Sequence, residues 1–338
     1  MIEAIFLMSI TSSRILNIED KLLERKVRPQ LNFFIKKPFG YGFTTMATEL
    51  QERGYVNYVN DFTVPGLVGT VKGSHIYKGI LCNSGYKSTV IDEVMMLDSK
   101  SKKAILEITE QGSVTRTLQG FVESRREIDI PSGKIVVEEG KLTVKVRTSF
   151  IFGTASDNCF KDEDIQMLLS RCFCVNISMS FEEAMRLKKY GRNINLDRYK
   201  IPKEPIDLVI LPEKENEYLI EKMQEVTMVG ENYGGYYTRC HDDMIRISAI
   251  SCVLRGNKII DRKDVDKALS FYKLHQLGFL GTQLSDTELS VYELCNGLSV
   301  SDIANKLRIS ERTVRRAVKK LIEIELIYKA DELLYKRI

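Results

Sequence analysis

The spacing of apolar positions changes character along the chain, and the changes divide it. From Leu31 onward, short apolar runs alternate with stretches of helical period, the pattern of a parallel α/β sheet. It predicts buried strands over 31–35, 55–59, 87–91, 149–154 and 172–177, and a helix over 44–53. Clean alternation on either side of Glu139-Gly140 predicts a hairpin over 134–147. Residues 1–30 read as a lead-in ending in a charged helix at 18–27, IEDKLLERKV. Past Pro212 the period is helical throughout, with helices expected at about 216–228, 240–255 and 262–276. In the second of these Ile245, Ala249, Cys252 and Val253 share one face, and Asp242 and Arg246 sit at i, i+4 on the other. Asp261 and Asp264 resemble a capping box at the start of the third. The segment 278–282, GFLGT, reads as a linker. The expected parse is a lead-in at 1–30, an α/β core at 31–212, a helical block at 213–277 and a last domain at 278–338.

That last domain has a pattern of its own. A helix over roughly 286–297 precedes a second that Ser299 caps and that turns Ile303, Ala304 and Leu307 inward. After the turn Arg308-Ile309-Ser310, a third helix buries Val314, Ala317, Val318 and Leu321 at i, i+3, i+4, i+7. Its outer face carries Arg312, Thr313, Arg315, Arg316, Lys319 and Lys320. LIYKA and LLYKR, on either side of Asp331-Glu332, complete a wing. An apolar side that docks on its own domain and a cationic side that faces phosphates and base edges are what a recognition helix requires. The expectation is a winged helix-turn-helix that binds DNA. The competing reading is a solvated basic face on a small helical or protein-docking domain.

Composition changes this picture little. The 338 residues are 43% hydrophobic and 28% charged, as in an ordinary globular protein. The net charge of +4, from 50 basic and 46 acidic residues, does not advertise nucleic-acid binding, so a DNA site must be a local patch. No apolar stretch reaches the ~20 residues needed to span a bilayer. The apolar start has no basic n-region or cleavage site, so no membrane partner and a cytoplasmic location are expected. Seven cysteines and three histidines show no zinc-ligand spacing, and no zinc is expected. Cys252, in an apolar stretch, reads as a core residue.

Strand, glycine-bearing loop and helix follow one another at 31–53, the order a phosphate-binding loop needs. Against G-x-x-x-x-G-K-[ST], Gly42 and Thr44 fit; Lys37 stands at the first glycine and Phe43 at the lysine. Gly40 and Thr45 complete the candidate cradle. About fifty residues on, Ser88–Ile91 runs into Asp92-Glu93, one carboxylate suited to Mg²⁺ and one to orienting water. Alone, this is equally a strand end whose aspartate caps a helix. The strand 150–156 ends in small and polar residues, with Ser156 placed as a γ-phosphate sensor. LLSR, ending at Arg171, is in the style of an arginine finger, and Arg239 opens a helix in the style of a second sensor.

In this order the motifs resemble the AAA+ ATPases, and among them the minichromosome maintenance (MCM) replicative helicases. The resemblance runs from about residue 31 to the C-terminus. It rests on Pro65–Val71 and Tyr77–Leu81 followed by VIDEV, on Ala104–Glu107 with Glu110-Gln111, on the 134–147 hairpin, on LLSR, and on Thr238-Arg239 through Leu254. It implies a P-loop AAA+ parallel sheet with a helical lid and a C-terminal winged helix. Implied with these are ATP, with Mg²⁺ held by Thr44 and Asp92, and catalysis by Asp92, Glu93, Ser156, Arg171 and Arg239. The hairpin would track DNA through Lys141, close to Lys134, and partners would be DNA, further copies in a ring such as a hexamer, or a replication assembly.

Three departures qualify the resemblance: Phe43 replaces the P-loop lysine, Glu138 takes the expected place of a hairpin lysine, and nothing matches the family's N-terminal half. Losing one preorganised catalytic donor costs on the order of 10²–10³ in rate. Lys36 and Lys37 read as lying on the wrong side of the loop to substitute. Three readings stand: an MCM-like DNA-binding protein with weak or absent ATP hydrolysis, an active DNA motor with a deviant P-loop, and a DNA-bound regulator whose α/β part is an interaction platform.

Overall fold

The computed structural model describes residues 2–38, 40–60, 62–72, 75–83, 85–118, 125–131, 133–155, 162–177, 201–226, 234–323, 327–329 and 335–337. Its centre is a five-stranded, all-parallel sheet of β3 (Phe33–Lys36), β4 (Val56–Val59), β7 (Ser88–Ile91), β12 (Phe150–Thr154) and β13 (Phe173–Asn176). The spatial order is β13-β3-β12-β7-β4. Each strand falls within or one residue beyond its expected range, because runs such as Phe33-Phe34-Ile35 are buried on both faces, as parallel strands require. Alternate residues serve two cores: Phe33, Ile35, Val90 and Ile151 on one side, Phe34, Ile91, Phe150 and Phe152 on the other.

Helix α2 (Phe43–Glu52) follows β3, and α3 (Val64–Val68) leads into a hairpin of β5 (Gly69–Lys72) and β6 (His75–Lys78). Helix α4 (Ser99–Gln111) is capped by Asp98, whose carboxylate accepts from Ser101 N–H at 2.6 Å. Strands β8 (Ser113–Thr117), β9 (Arg126–Ile130), β10 (Gly133–Glu138) and β11 (Lys141–Val146) form an antiparallel sheet ordered β8-β11-β10-β9. The predicted hairpin is thus the middle of a larger sheet, turning at Glu139 and Gly140, both at positive φ. Helix α5 (Glu163–Leu169) precedes β13.

The first thirty residues are no lead-in. Helix α1 (Ile2–Ser12) is buried along nearly its whole length. Its serines, with Ser13, bond the starts of two central strands: Ser9 to Ser88 at 3.0 Å, Ser12 to Ser149 at 2.9 Å and Ser13 to Ser88 at 3.1 Å. The charged stretch 18–27 is not helical but a pair of antiparallel strands, β1 (Ile18–Asp20) and β2 (Arg25–Val27). Ile18 and Val27 are cross-strand partners, both buried, and β14 (Val209–Leu211) adds to β1 in parallel. Tertiary pairing overrides helix propensity here.

Helices α6 (Glu213–Val226), α7 (Gly234–Leu254) and α8 (Arg262–Gln283) cover one face of the main sheet. The four expected apolar positions of α7 are buried, but so are Met244, Ile247 and Ile250, so the helix is apolar nearly all round. Asp242 and Arg246 do not pair: Asp242 takes Arg25 at 2.6 Å, and Arg246 takes Asp243. The Asp261–Asp264 box forms reciprocally at 3.1 and 3.2 Å.

Residues 278–282 are helical, part of α8, rather than a linker. Gly278 is there for close packing, since a Cβ would stand 2.0 Å from the Cys174 carbonyl oxygen. In the same contact His275 Nδ1 accepts from Cys174 N–H at 2.9 Å, and its ring stacks on Phe173. Burial pushes the His275 imidazole down to about 3. The folded state therefore holds this ring neutral while the unfolded state protonates it below about 6.5. Its contribution is complete above that pH and is lost as the pH falls toward 3, at about 1.4 kcal/mol per unit. Denaturant unfolding at pH 7 and pH 5 should show a loss that is smaller in His275→Gln.

The last helices are α9 (Asp286–Leu294), α10 (Val300–Leu307) and α11 (Glu311–Glu323), followed by the antiparallel strands β15 (Ile327–Lys329) and β16 (Tyr335–Arg337). Capping boxes form at Ser285–Glu288 and Ser299–Asp302. Ile303, Ala304, Val314, Ala317, Val318 and Leu321 are buried in one cluster, as the pattern predicts, and Leu307 packs against it half-buried.

Candidate nucleotide site and nucleic-acid interface

Ligands of open parallel sheets bind beyond the carboxyl ends of the strands. There the chain brings together residues from four of its five central strands. Asp92 follows β7, Lys37 follows β3, Thr44 lies in the first turn of α2, Tyr58 belongs to β4, and Thr154 ends β12. Thr44 Oγ1 donates to Asp92 Oδ2 at 2.8 Å, and Tyr58 OH reaches the same oxygen at 3.4 Å. Burial raises the Tyr58 pKa, a shift that Thr44 opposes and Asp92 reinforces. Glu93 sits at φ 52°, a left-handed conformation costly for a non-glycine residue. Its Oε2 accepts from Ala155 N–H at 3.2 Å and from Thr154 Oγ1 at 3.5 Å.

Both glycines of the loop adopt backbone that favours glycine. Gly40 and Gly42 have φ of 74° and 80°, and a Cβ at Gly40 would meet nothing within 4 Å. Gly42 is the N-cap of α2, with Thr44 and Thr45 exposed in the first turn behind it.

Phe43 points the other way. It is 2% exposed, belongs to the core, and packs its ring against Phe6 of α1 at 5.5 Å between centroids. A cation also lies over the ring: Lys37 Nζ is 5.1 Å from its centroid. The same ammonium is 3.0 Å from Asp92 Oδ1 and 3.1 Å from Glu93 Oε1, with the side chain only 7% exposed. Gly153 leaves room for this arrangement, because a Cβ there would stand 3.0 Å from Asp92 Oδ1, Lys37 Cε and Phe43 Cε1 alike. Lys37 is therefore on the site side of the loop, against the sequence expectation. Its signal was parity: two residues beyond Ile35 on an extended strand, it projects to the same face.

Thr44 Oγ1 and Asp92 fit the little that Mg²⁺ asks of a protein, one or two oxygens alongside substrate phosphates. The N-terminus of α2 and the open glycine loop fit the phosphates themselves.

Ser156 is outside the described residues, and so is the side chain of Arg239, whose backbone belongs to α7. Arg171 is at the opposite, amino-terminal edge of the sheet, two residues before Phe173. There it bonds Glu110 at 2.9 Å and the Met167 carbonyl. It lines a cavity of about 230 Å³ with Arg28, Gln30 and Arg246. Burial, helped by Arg246, lowers Arg28 to about 10. Lys141 is exposed on the hairpin.

On α11, Arg312, Thr313, Arg315, Arg316 and Lys319 are exposed. Arg315 makes an i, i+4 pair with Glu311 at 3.0 Å while remaining 70% exposed, a contact of little strength. Thr313 shares a 2.8 Å hydroxyl contact with Ser310 in the helix cap. Lys320 is half-buried and tied to Glu288 at 2.7 Å, so it staples α11 to α9. The sequence placed it on the outer face and missed its partner, itself part of the Ser285 capping box.

Residues 289–328 match the family described as winged helix-turn-helix DNA-binding. The C-terminal domain is thus a winged helix-turn-helix, and it supports DNA binding by this protein. Compared as a whole with curated proteins, the chain matches none. Among the described residues no helix is long and apolar enough to cross a membrane.

Proposed function

We propose that this is a DNA-binding protein whose α/β portion is an AAA+-like nucleotide module, related to the MCM helicases, that binds ATP and hydrolyses it slowly. DNA is held by the exposed cations of α11. The nucleotide reading rests on one observation, the convergence of Lys37, Thr44, Asp92 and Glu93 beyond the strand ends, where a glycine loop and a helix N-terminus also point.

Slow turnover follows from the same contacts. Glu93, the candidate base, has one oxygen on Lys37 and the other on Ala155 N–H, so it orients water only after Lys37 has left it. The helix position that supplies a preorganised cation in the resembled family is here a core phenylalanine. The resemblance also makes further copies of this chain in a ring, or a replication assembly, the expected partners. Arg171, on the far edge of the sheet, would then act on a neighbouring copy rather than on its own site.

Anisotropy of a labelled duplex, titrated with the whole chain from low to high salt, tests the DNA arm. Log affinity should fall linearly with log salt, by about 0.9 for each phosphate neutralised. Salt-independent binding, or none, would contradict it.

A further inference from the structure

We infer that Lys37 is the phosphate-contacting cation of this site, exchanging its two carboxylates for nucleotide phosphates only when a divalent cation takes its place. The inference rests on the nucleotide reading above and goes beyond it in naming the residue and the coupling. Position 43 does not serve, since its side chain is an uncharged ring buried against Phe6. Among the described residues, the ammonium held between Asp92 and Glu93 is that of Lys37, anchored over the ring that replaces the usual lysine. Thr44 holds the other Asp92 oxygen. The cradle thus contains the acidic pair and hydroxyl suited to Mg²⁺, with a side chain standing where the metal's charge is needed.

Charge balance makes the two ligands interdependent. Mg²⁺ alone must displace the ammonium from both carboxylates without giving it a new partner. The polyphosphate alone must draw Lys37 away and leave the buried Asp92 carboxylate and the half-buried Glu93 without their cation, beside its own negative charge. With both present, Lys37 would turn to the phosphates, while Asp92 and Thr44 would hold the metal, which would supply the charge Lys37 gives up. A lysine on a flexible four-carbon stem suits such a move, as a compact point charge. No bond is made or broken.

Titrating a fluorescent ATP analogue into the protein, in Mg²⁺ and in EDTA, tests this. Wild type should bind in Mg²⁺ and much more weakly in EDTA. Lys37→Met should lose about tenfold or more of its affinity in Mg²⁺, the worth of a charge-assisted contact. Asp92→Asn releases Lys37 from one carboxylate and should bind the analogue more tightly in EDTA than wild type does. This arm decides the matter should Lys37→Met fold poorly. Lys37→Met binding as tightly as wild type, or Asp92→Asn showing no gain, would overturn the role of Lys37 and leave the nucleotide site standing. Failure of wild type to bind in either condition would remove both.

Discussion

Replacing Arg315 and Arg316 together with alanine should lower duplex-DNA affinity by at least about thirtyfold, since each direct contact is worth about 1–3 kcal/mol. Both side chains are exposed, on the face of α11 opposite Val314, Ala317, Val318 and Leu321, so the fold of the domain should survive. Arg315 gives up only its exposed pair with Glu311. Loss spread evenly over DNA sequences, with a shallower salt slope, would assign the pair to phosphates; loss confined to one sequence would assign it to base edges. Lys320→Ala behaves differently. It cuts the staple to Glu288 and should reduce the stability of the winged helix more than its DNA affinity. Anisotropy and thermal melting of the same variants separate the two effects.

The second large effect is at position 43. Phe43→Ala should destabilise the protein by about 3–5 kcal/mol, the usual cost of removing a buried phenylalanine. Its ring packs against Phe6 of α1 and lies under Lys37, so the void opens next to both α1 and the candidate site. Phe43→Lys, which restores the lysine of the resembled motif, should be at least as damaging, because it buries a second ammonium close to the first. Denaturant midpoints measure both. A stable Phe43→Lys variant with faster hydrolysis would show that position 43 reaches the phosphates after all.

The central sheet was legible because its strands carry short apolar centres, Phe33-Phe34-Ile35, Val90-Ile91 and Phe150-Ile151-Phe152, each set between polar or glycine breaks. The winged helix was legible because Val314, Ala317, Val318 and Leu321 keep helical spacing in a short segment with few alternatives. What escaped depends on distant partners. Helix α1 buries Ser9 and Ser12, which, with Ser13 after it, have hydroxyls that bond Ser88 and Ser149, more than seventy residues away. The pair β1 and β2 reads as a charged helix until β14 arrives to pair with it. Gly278 looks like a linker glycine, yet it is fixed by the approach of α8 to the Cys174 carbonyl.

The site divides in the same way. Asp92, Glu93, Thr44 and the two glycines stand out by local order, and the structure brings them together beyond the strand ends. Tyr58 and Lys37 carry no motif. Tyr58 is a strand residue whose hydroxyl reaches Asp92 only because β4 pairs with β7. Lys37 was discounted by its place in a loop pattern. Its true position follows from the extension of β3, whose pairing with β12 continues through Lys37 N–H to the Thr154 carbonyl at 2.9 Å.

The proposed nucleotide module is tested most directly by measuring ATP binding and steady-state turnover on one sample of the 338-residue chain, with Mg²⁺ and duplex DNA present. A median enzyme turns over at about 10 per second, and loss of one preorganised donor removes a factor of about 10²–10³. Saturable binding with turnover of about 0.01–0.1 per second is therefore the expected result. Turnover at several per second that Glu93→Gln abolishes would contradict it and make the chain an active motor. Absence of binding would leave a winged-helix DNA-binding protein whose α/β part has no nucleotide to answer to.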